Sequence, residues 1–319
     1  MMREETKERF DVWWKGGQTD RPLVRLIARK KDPPLSEDLS ALCATPFDFH
    51  LNPEFRVKQV RNSLVTHCYE LDAFPYVDLN LGPGSMASYL CCEPGFSFDT
   101  IWYNEANVQR LSDLEGVGFE RSTHWWYDHL SIIQRAVQLA KGDFPICIPD
   151  IQENLDIVYA VKDENGDSAF TAFSIWGRGK TAKLQCDFSA LISVEIFDEF
   201  VLPALRRQCE SLDNTMYHLD GVGAIRHLDS VLSIPALNAL QWTPGAGQED
   251  GGAERWFPLY DKVRDAGKSL WIQIYDGDID EWIRRSKNVI QRYGVRGIYF
   301  VYGETDEKSA KKLIHELHF

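Results

Sequence analysis

The sequence predicts an α/β protein built as a (β/α)8 TIM barrel, and three observations lead to this prediction. Short apolar runs alternate with longer amphipathic stretches along the 319 residues, as parallel strands alternate with crossover helices. Eight runs qualify as strands, and several are apolar on both faces, as barrel strands are. No Gly-x-Gly-x-x-Gly follows the first strand, which disfavours an open doubly wound sheet. We expect residues 1–319 to form a single barrel domain.

The elements follow from these runs in chain order. The predicted strands are 22–28, 75–81, 145–150, 183–187, 215–219, 238–242, 269–274 and 297–301. Apolar residues at helical spacing predict helices over 54–71, 193–212, 256–265, 279–293 and 307–317. We expect Ser193 to cap the second of these helices. Two further β-like runs, 96–103 and 170–176, predict hairpins at the rim of the barrel.

The chain is acidic. Its 48 Asp and Glu residues outnumber its 35 Lys and Arg residues and give a formal net charge of −13, which argues against nucleic-acid binding. The longest apolar runs are far too short to cross a membrane. The first nine residues lack the apolar core of a signal peptide, and seven cysteines without paired spacings suit a reducing compartment. We therefore expect a cytoplasmic protein.

The carboxyl ends of the predicted strands carry the candidate site, because barrel active sites lie at that edge. Reading these ends gives an acidic mouth with one histidine, His218, and Asp187 closes the fourth strand. We predict that the substrate contacts five further side chains at this edge: Asp150, Gln185, Trp242, Gln273 and Tyr302. The catalytic candidates are Asp78, His218 and Asp220.

His218 and Asp220 form the most informative pair. Residues two apart on a strand point to the same face, so both side chains reach one metal ion or one proton. The pair is therefore interpreted either as two metal ligands or as an acid/base with an orienting carboxylate. The alternative of equal weight is a buried, satisfied histidine beside an aspartate that caps the next helix.

Four segments carry a resemblance to a known family. They are FPYVDLNLGPG at 74–84, QCDFSALIS at 185–193, FDEFVLP at 197–203 and YHLDG at 217–221. With them the chain resembles the uroporphyrinogen decarboxylase superfamily, whose (β/α)8 barrels include the heme-pathway decarboxylase and the methyltransferases that serve corrinoid proteins. The resemblance covers the chain from the second predicted strand onward. It differs in a shortened segment between the third and fourth strands.

The resemblance implies roles for particular residues. Asp78 corresponds to the decarboxylase's catalytic aspartate. The methyltransferase branch holds zinc with His-x-Cys and a later Cys; here His218 matches the histidine, while Asp220 and Glu304 stand at the other two positions. The implied site is a Zn²⁺ bound by these three residues. The implied activity is transfer of a methyl group from a small donor, such as a methoxylated compound, to a corrinoid held by a partner protein.

Two alternatives remain open. The first is decarboxylation of uroporphyrinogen or a related poly-acid through Asp78, without a metal. The basic stretch at 28–34 does not match the family's Arg-Gln…Gly-Arg pattern, which disfavours this reaction. The second is a non-catalytic binder of a tetrapyrrole or corrinoid. By analogy with the family's decarboxylases, the resemblance also implies a homodimer.

Overall fold

The computed structural model describes residues 2–82, 84–90, 92–103, 124–147 and 167–319. Within these ranges the strands are Leu23–Arg29 (β1), His67–Leu71 (β2), Pro94–Phe96 (β3), Ile101–Tyr103 (β4), Ser168–Phe170 (β5), Ile175–Gly177 (β6), Thr181–Gln185 (β7), Asn214–Asp220 (β8), Ala239–Thr243 (β9), Ser269–Ile274 (β10), Ile298–Tyr302 (β11) and Thr305–Asp306 (β12). The predicted shortened segment and Asp150 fall outside the described residues.

The helices lie between these strands. They are Glu4–Trp14 (α1), Pro46–Leu51 (α2), Pro53–Thr66 (α3), Ser85–Leu90 (α4), His124–Ala140 (α5), Val194–Ile196 (α6), Leu202–Glu210 (α7), Leu228–Leu232 (α8), Phe257–Asp265 (α9), Ile279–Tyr293 (α10) and Glu307–Leu317 (α11). A π-turn, Phe197–Val201, joins α6 to α7. Ser193 caps α6 as predicted, since its side chain accepts a hydrogen bond from the Ile196 amide at 3.3 Å. Every helix in the described part of the chain is too short or too polar to cross a membrane.

The main sheet is mostly parallel. Its strands follow the order β12-β1-β11-β10-β9-β8-β7, and β2 adds to β1 in the antiparallel direction. Six of the eight predicted strands, the first and the fourth to eighth, are confirmed within a few residues. The result is an α/β fold that is consistent with a TIM-barrel-like architecture. The two predicted hairpins are also present, as β3–β4 and β5–β6.

The second and third predicted strands are not formed as such in the described residues. Segment 75–81 makes one parallel bridge, between Val77 and Ile146. The helix predicted over 54–71 ends at Thr66, and 67–71 forms β2 on the free edge of β1. Helix propensity does not mark this boundary, because residues 67–69 have about the same propensity as residues 65–66 before them. The pairing of 67–71 with β1 decides it instead. A left-handed Leu71, with φ of 56°, then reverses the chain.

The sheet separates two cores, because alternate side chains of a strand point to opposite faces. The helix-side core contains strand residues that pack against the helices, among them Tyr217, Leu219, Leu240, Trp242 and Tyr302. The inner core contains the alternate strand residues, among them Leu23, Met216, Ala239, Trp271 and Tyr299. Side chains at the carboxyl ends of the strands follow the same alternation, so a side chain two residues beyond an inner-core residue also faces the inner side.

Helix α1 and the β5–β6 hairpin cover the inner core. Phe10, Trp13 and Trp14 of the helix are almost fully buried there. The Trp13 indole donates to the Leu270 carbonyl at 3.3 Å, and the Trp14 indole donates to the Trp176 carbonyl at 2.8 Å. The amino-terminal helix is therefore part of the structural core, a role that no sequence pattern had indicated.

Candidate metal centre

Three polar residues lie side by side at the carboxyl ends of β7, β8 and β9. The strand register pairs Gln185 with His218 and His218 with Gln241. His218 lies two residues beyond Met216 of the inner core, so its side chain faces the inner side. The sheet thus places a histidine between two amides at the edge where barrel-type proteins carry their active sites.

A three-residue cluster forms around this histidine. Asp187, His218 and Asp220 each offer one ligand atom, and these atoms all lie within 4.8 Å of one another. Nε2 of His218 is 3.9 Å from Oδ2 of Asp220. The His218 side chain is 11% exposed and that of Asp220 41% exposed, so the cluster has a buried base and an open outer side. The predicted pairing of His218 with Asp220 is present.

Gln241 determines which nitrogen of His218 faces the cluster. Nε2 of Gln241 donates to the Thr243 hydroxyl at 2.8 Å, which directs the amide oxygen toward Nδ1 of His218. Because a carbonyl oxygen only accepts, Nδ1 carries the proton. Nε2 then presents its lone pair toward Asp220. This is the tautomer that a metal-binding histidine needs, with an amide oxygen fixing the ring from behind.

The surroundings of His218 favour its neutral form. Burial lowers the pKa of His218, and the ammonium of Lys183 lowers it further. The hydrogen bond to Gln241 and the charges of Asp220 and Asp187 act in the opposite direction. The net effect is a pKa below the usual 6.5. The imidazole is therefore neutral at pH 7 and available as a ligand.

A chain of hydrogen bonds orients Asp187. The buried Lys183 donates to Oε1 of Gln185, and Nε2 of Gln185 donates to Oδ2 of Asp187 at 2.9 Å. Lys183 also lies over the rings of Phe170 and Phe173, at 5.2 and 5.7 Å. These contacts hold a carboxylate in place through a buried amide, as partners behind a metal ligand do.

An aromatic ring closes one side of the cluster. The ring of Phe173 lies 5.0 Å from the ring of His218. The Phe173 carbonyl accepts a hydrogen bond from the Trp271 indole at 2.9 Å, which fixes this turn against β10. The apolar wall excludes water from that side and strengthens electrostatic interactions within the cluster.

The donor set fits a divalent cation. One imidazole nitrogen and two carboxylate oxygens are the ligands used by Zn²⁺ in catalytic sites and by other borderline or hard divalent ions. With only three protein donors, positions remain for water or substrate. No thiolate contributes, so the set lacks the soft ligands that favour Cu(I) or thiolate-bound zinc.

Glu304 does not belong to this cluster, although it was the predicted third ligand. Its carboxylate lies 3.4 Å from Nε2 of His67, and its side chain is 63% exposed. His67 lies within the predicted helix 54–71, but β2 pairs antiparallel with β1 and brings His67 to this edge of the sheet. Asp187 takes the third position instead. The sequence could have indicated Asp187 as a ligand, because it lies at the end of the fourth predicted strand. That strand corresponds to β7, which pairs with β8.

Two residues predicted at the mouth lie on the helix side. Trp242 is 1% exposed and packs edge-to-face on Trp256, with ring centroids 5.1 Å apart. Tyr302 is 1% exposed; its hydroxyl and that of Ser286 form a 2.7 Å hydrogen bond. The prediction took the last residue of each strand without regard to alternation. Because Gln241 points inward, its neighbour Trp242 must point outward.

The other predicted residues divide between two places. Gln185 supports Asp187, as described above. Gln273 lies two residues beyond the inner-core Trp271 and so faces the inner side. Asp78 lines a cavity formed with β1, β2 and α3. The structure therefore brings His218 and Asp220 together but does not add Asp78 to their cluster. Roles for these residues in substrate binding or catalysis stay predictions.

No family model and no curated protein matches the chain. The resemblance to the uroporphyrinogen decarboxylase superfamily therefore stays a prediction. Among solved structures, the chain is similar to a crystal structure of macrophomate synthase, an enzyme. The match has a TM-score of 0.28 and 12% sequence identity, and it covers 59% of this chain and 69% of that chain. This likeness is too distant to support any argument about the site.

Proposed function

We propose that this protein is a metal-dependent enzyme that holds a divalent cation with Asp187, His218 and Asp220. One observation carries the proposal: three ligand atoms from the ends of two adjacent strands lie within 4.8 Å of one another. When bound, the cation would act as a Lewis acid on an oxygen atom of a small substrate. The orientation of His218 by Gln241 and of Asp187 by Gln185 supports this proposal.

The residues of the chain supply the remaining requirements. His218 offers a neutral nitrogen from a buried position, and the two aspartates offer negative charge from the open side. Phe173 keeps water from one side of the site. Gln273, on the inner side of β10, is a candidate for contacting a polar group of the substrate. A substrate enters from the side where Asp187 is exposed.

Within this class we propose methyl transfer, on the resemblance to the corrinoid-linked methyltransferases. The donor would be a small methoxylated compound and the acceptor the Co(I) of a corrinoid on a partner protein. The ether C–O bond would break, the methyl group would go to cobalt to give methyl-Co(III), and the oxygen would leave as an alkoxide that takes a proton. The oxygen-rich donor set supports an ether oxygen as the atom that is polarised.

Metal binding is the first test. We expect purified protein, stripped with a chelator, to take up one equivalent of Zn²⁺ or Mn²⁺ in a calorimetric titration. His218→Ala and Asp187→Asn should weaken the binding roughly 100-fold or more, and Gln241→Leu, which removes the supporting oxygen, roughly tenfold. Glu304→Gln is the matched control and should bind like the unaltered protein. Unchanged affinity in Asp187→Asn with loss in Glu304→Gln would contradict the ligand set.

Methyl transfer needs its own assay. The metal-loaded protein should convert cob(I)alamin to methylcobalamin in the presence of methoxylated donors, and the change in the visible spectrum of the cobalamin reports the reaction. The Asp187→Asn protein should be inactive. A protein that binds metal stoichiometrically but leaves cob(I)alamin unchanged with every donor would contradict methyl transfer and leave the metal centre standing.

A further inference from the structure

A cavity of about 320 Å³ lies where β2 joins the sheet. Its walls come from β1, α3, β2 and the segment 74–78. β2 pairs with the edge of β1. Segment 74–78 is joined to the segment around Ile146 by the parallel bridge between Val77 and Ile146. Val77 packs with the helices around α5, so Tyr76 and Asp78, on either side of it, face the cavity. None of the residues lining this cavity belongs to the metal centre.

The cavity carries more positive than negative charge in an acidic protein. Arg25 and Arg56 line it, and Asp78 is the one acidic residue among the lining residues. Nε of Arg56 donates to the backbone oxygen of Asp78 at 2.8 Å, and Nη1 donates to Gln59 at 2.9 Å. Nη1 of Arg25 makes a long contact of 3.4 Å with the Tyr302 carbonyl. These hydrogen bonds orient the guanidinium groups without neutralising their charge.

Arg56 is held where a counter-ion would stabilise it. Its residue is half-buried, and burial lowers its pKa, with the charge of Asp78 acting against that shift. A guanidinium stays protonated in proteins even so. Partial removal of a charge from water is costly unless an opposite charge approaches. Two arginines on one cavity are therefore suited to an anion, and the planar guanidinium matches a carboxylate best.

The rest of the wall is suited to a flat apolar body. Phe74, Tyr69 and Tyr76 present rings to the cavity. The hydroxyl groups of the tyrosines are engaged with serines: Tyr69 with Ser63 at 2.8 Å and Tyr76 with Ser174 at 3.4 Å. The volume is at the low end of the range of about 300–1,000 Å³ for small-molecule sites, which limits the ligand to roughly the size of one ring.

We propose that this cavity binds a small organic acid, with its carboxylate toward Arg25 and Arg56 and a flat apolar body against the aromatic wall. None of its lining residues is one of the three metal-centre ligands, and the proposal does not depend on a bound metal. Benzoate is the probe, because it combines one carboxylate with one ring.

Calorimetric titration in the presence of a chelator tests the proposal independently of any metal. We expect benzoate to bind and benzamide, its neutral isostere, to bind at least tenfold more weakly. Arg56→Gln should weaken benzoate binding at least tenfold. Arg61→Gln is the matched control, because Arg61 lies on the same helix but is exposed and pairs with Asp143 at 3.0 Å. It should bind benzoate as the unaltered protein does.

A second pair of variants covers the case in which Arg56→Gln does not fold. Ser63→Trp fills the cavity from α3 and should abolish benzoate binding, whereas Leu64→Trp places the same side chain at an exposed neighbouring position and should not. Four results would overturn the proposal: no benzoate binding to the unaltered protein, equal binding of benzamide, tighter binding of inorganic phosphate than of benzoate, or full binding by Ser63→Trp.

Discussion

The two ends of the chain use the same alternation of strands and helices to different effect. From residue 181 onward, β7 to β11 pair in chain order, every pair is parallel, and helices follow each strand. In residues 2–147, β1 is joined by the antiparallel β2, and 75–81 keeps one bridge. The regular region forms the metal centre, because equal register brings neighbouring strand ends together. The irregular region forms the cavity, because a displaced strand leaves space.

Each region has a buried carboxylate that accepts hydrogen bonds from backbone amides and pairs with an arginine. In the regular region Asp250 is fully buried, accepts from the Tyr275 amide at 2.7 Å and pairs with Arg285. In the other region Asp72 accepts from the Val24 amide at 3.0 Å and pairs with Arg21. Substitutions in the two regions should therefore differ in the size of their effects on stability.

Removing Asp250 should be the most destabilising change. Asp250→Ala takes the buried carboxylate partner from Arg285, which keeps only its contacts with the more exposed Glu281 and Glu249. It also leaves three backbone amides without an acceptor, so we expect the free energy of unfolding to fall by about 4 kcal/mol. Asp72→Ala should cost less, about 2 kcal/mol, since the Arg21 side chain is 14% exposed and water can replace part of the contact. Urea unfolding measures both. Equal losses would show that the two carboxylates contribute equally to stability and would contradict the expected difference.

His129 should make the irregular region sensitive to acid. Its Nε2 donates to the Leu79 carbonyl at 2.6 Å, so Nδ1 accepts from the Tyr89 hydroxyl, also at 2.6 Å. Burial lowers the pKa of His129 from 6.5 to about 4. The unfolded chain therefore takes up a proton at a higher pH than the folded protein. The stability from this group is complete above pH 6.5 and is lost as the pH falls toward 4.

The measurement compares the unaltered protein with His129→Gln in urea at pH 7.5 and pH 4.5. The unaltered protein should lose about 2 to 3 kcal/mol more than the variant between these pH values. Glutamine keeps a donor for Leu79 and does not titrate. The same loss in both proteins would assign the acid sensitivity to other groups.

The smallest effect concerns Trp242, which lies on the helix side of the regular region and points away from the metal centre. Trp242→Phe should lower the free energy of unfolding by about 1 to 2 kcal/mol, because it leaves a gap beside Trp256. Metal affinity should stay within twofold of the unaltered protein, because the side chain points away from His218. A tenfold drop in affinity would place the indole at the mouth after all.

The regular region was accessible from sequence because each of its elements repeats one pattern. Helices α10 and α11 begin and end where the apolar spacing predicts, and each starts with an aspartate cap, Asp278 and Asp306. The predicted end of the helix over 54–71 was wrong. The apolar spacing continues past Thr66, whereas 67–71 pairs with β1 through long-range contacts that the local sequence does not indicate. Propensity alone gives only a weak preference at such a boundary.

Two of the three residues of the metal centre were predictable for a similar reason. His218 and Asp220 belong to one strand, so their common face follows from a period of two. Asp187 follows the neighbouring strand β7 in the turn 187–191. Its approach depends on the register between β7 and β8, which no local sequence pattern indicates. Glu304 was chosen through the resemblance, and the pairing of β2 places a different partner beside it.

The packing of helix α1 has a consequence for the folding of this protein during its synthesis. Trp13 and Ser269 are joined by a 2.6 Å hydrogen bond across 256 residues of chain, so α1 leaves the ribosome long before the strand on which it packs. At a translation speed of about 5–20 residues per second the wait is on the order of tens of seconds. Until then the inner core is incomplete, and the apolar side chains of Phe10, Trp13 and Trp14 stay exposed. A nascent chain stalled before β10 should therefore be a better chaperone client than the finished one.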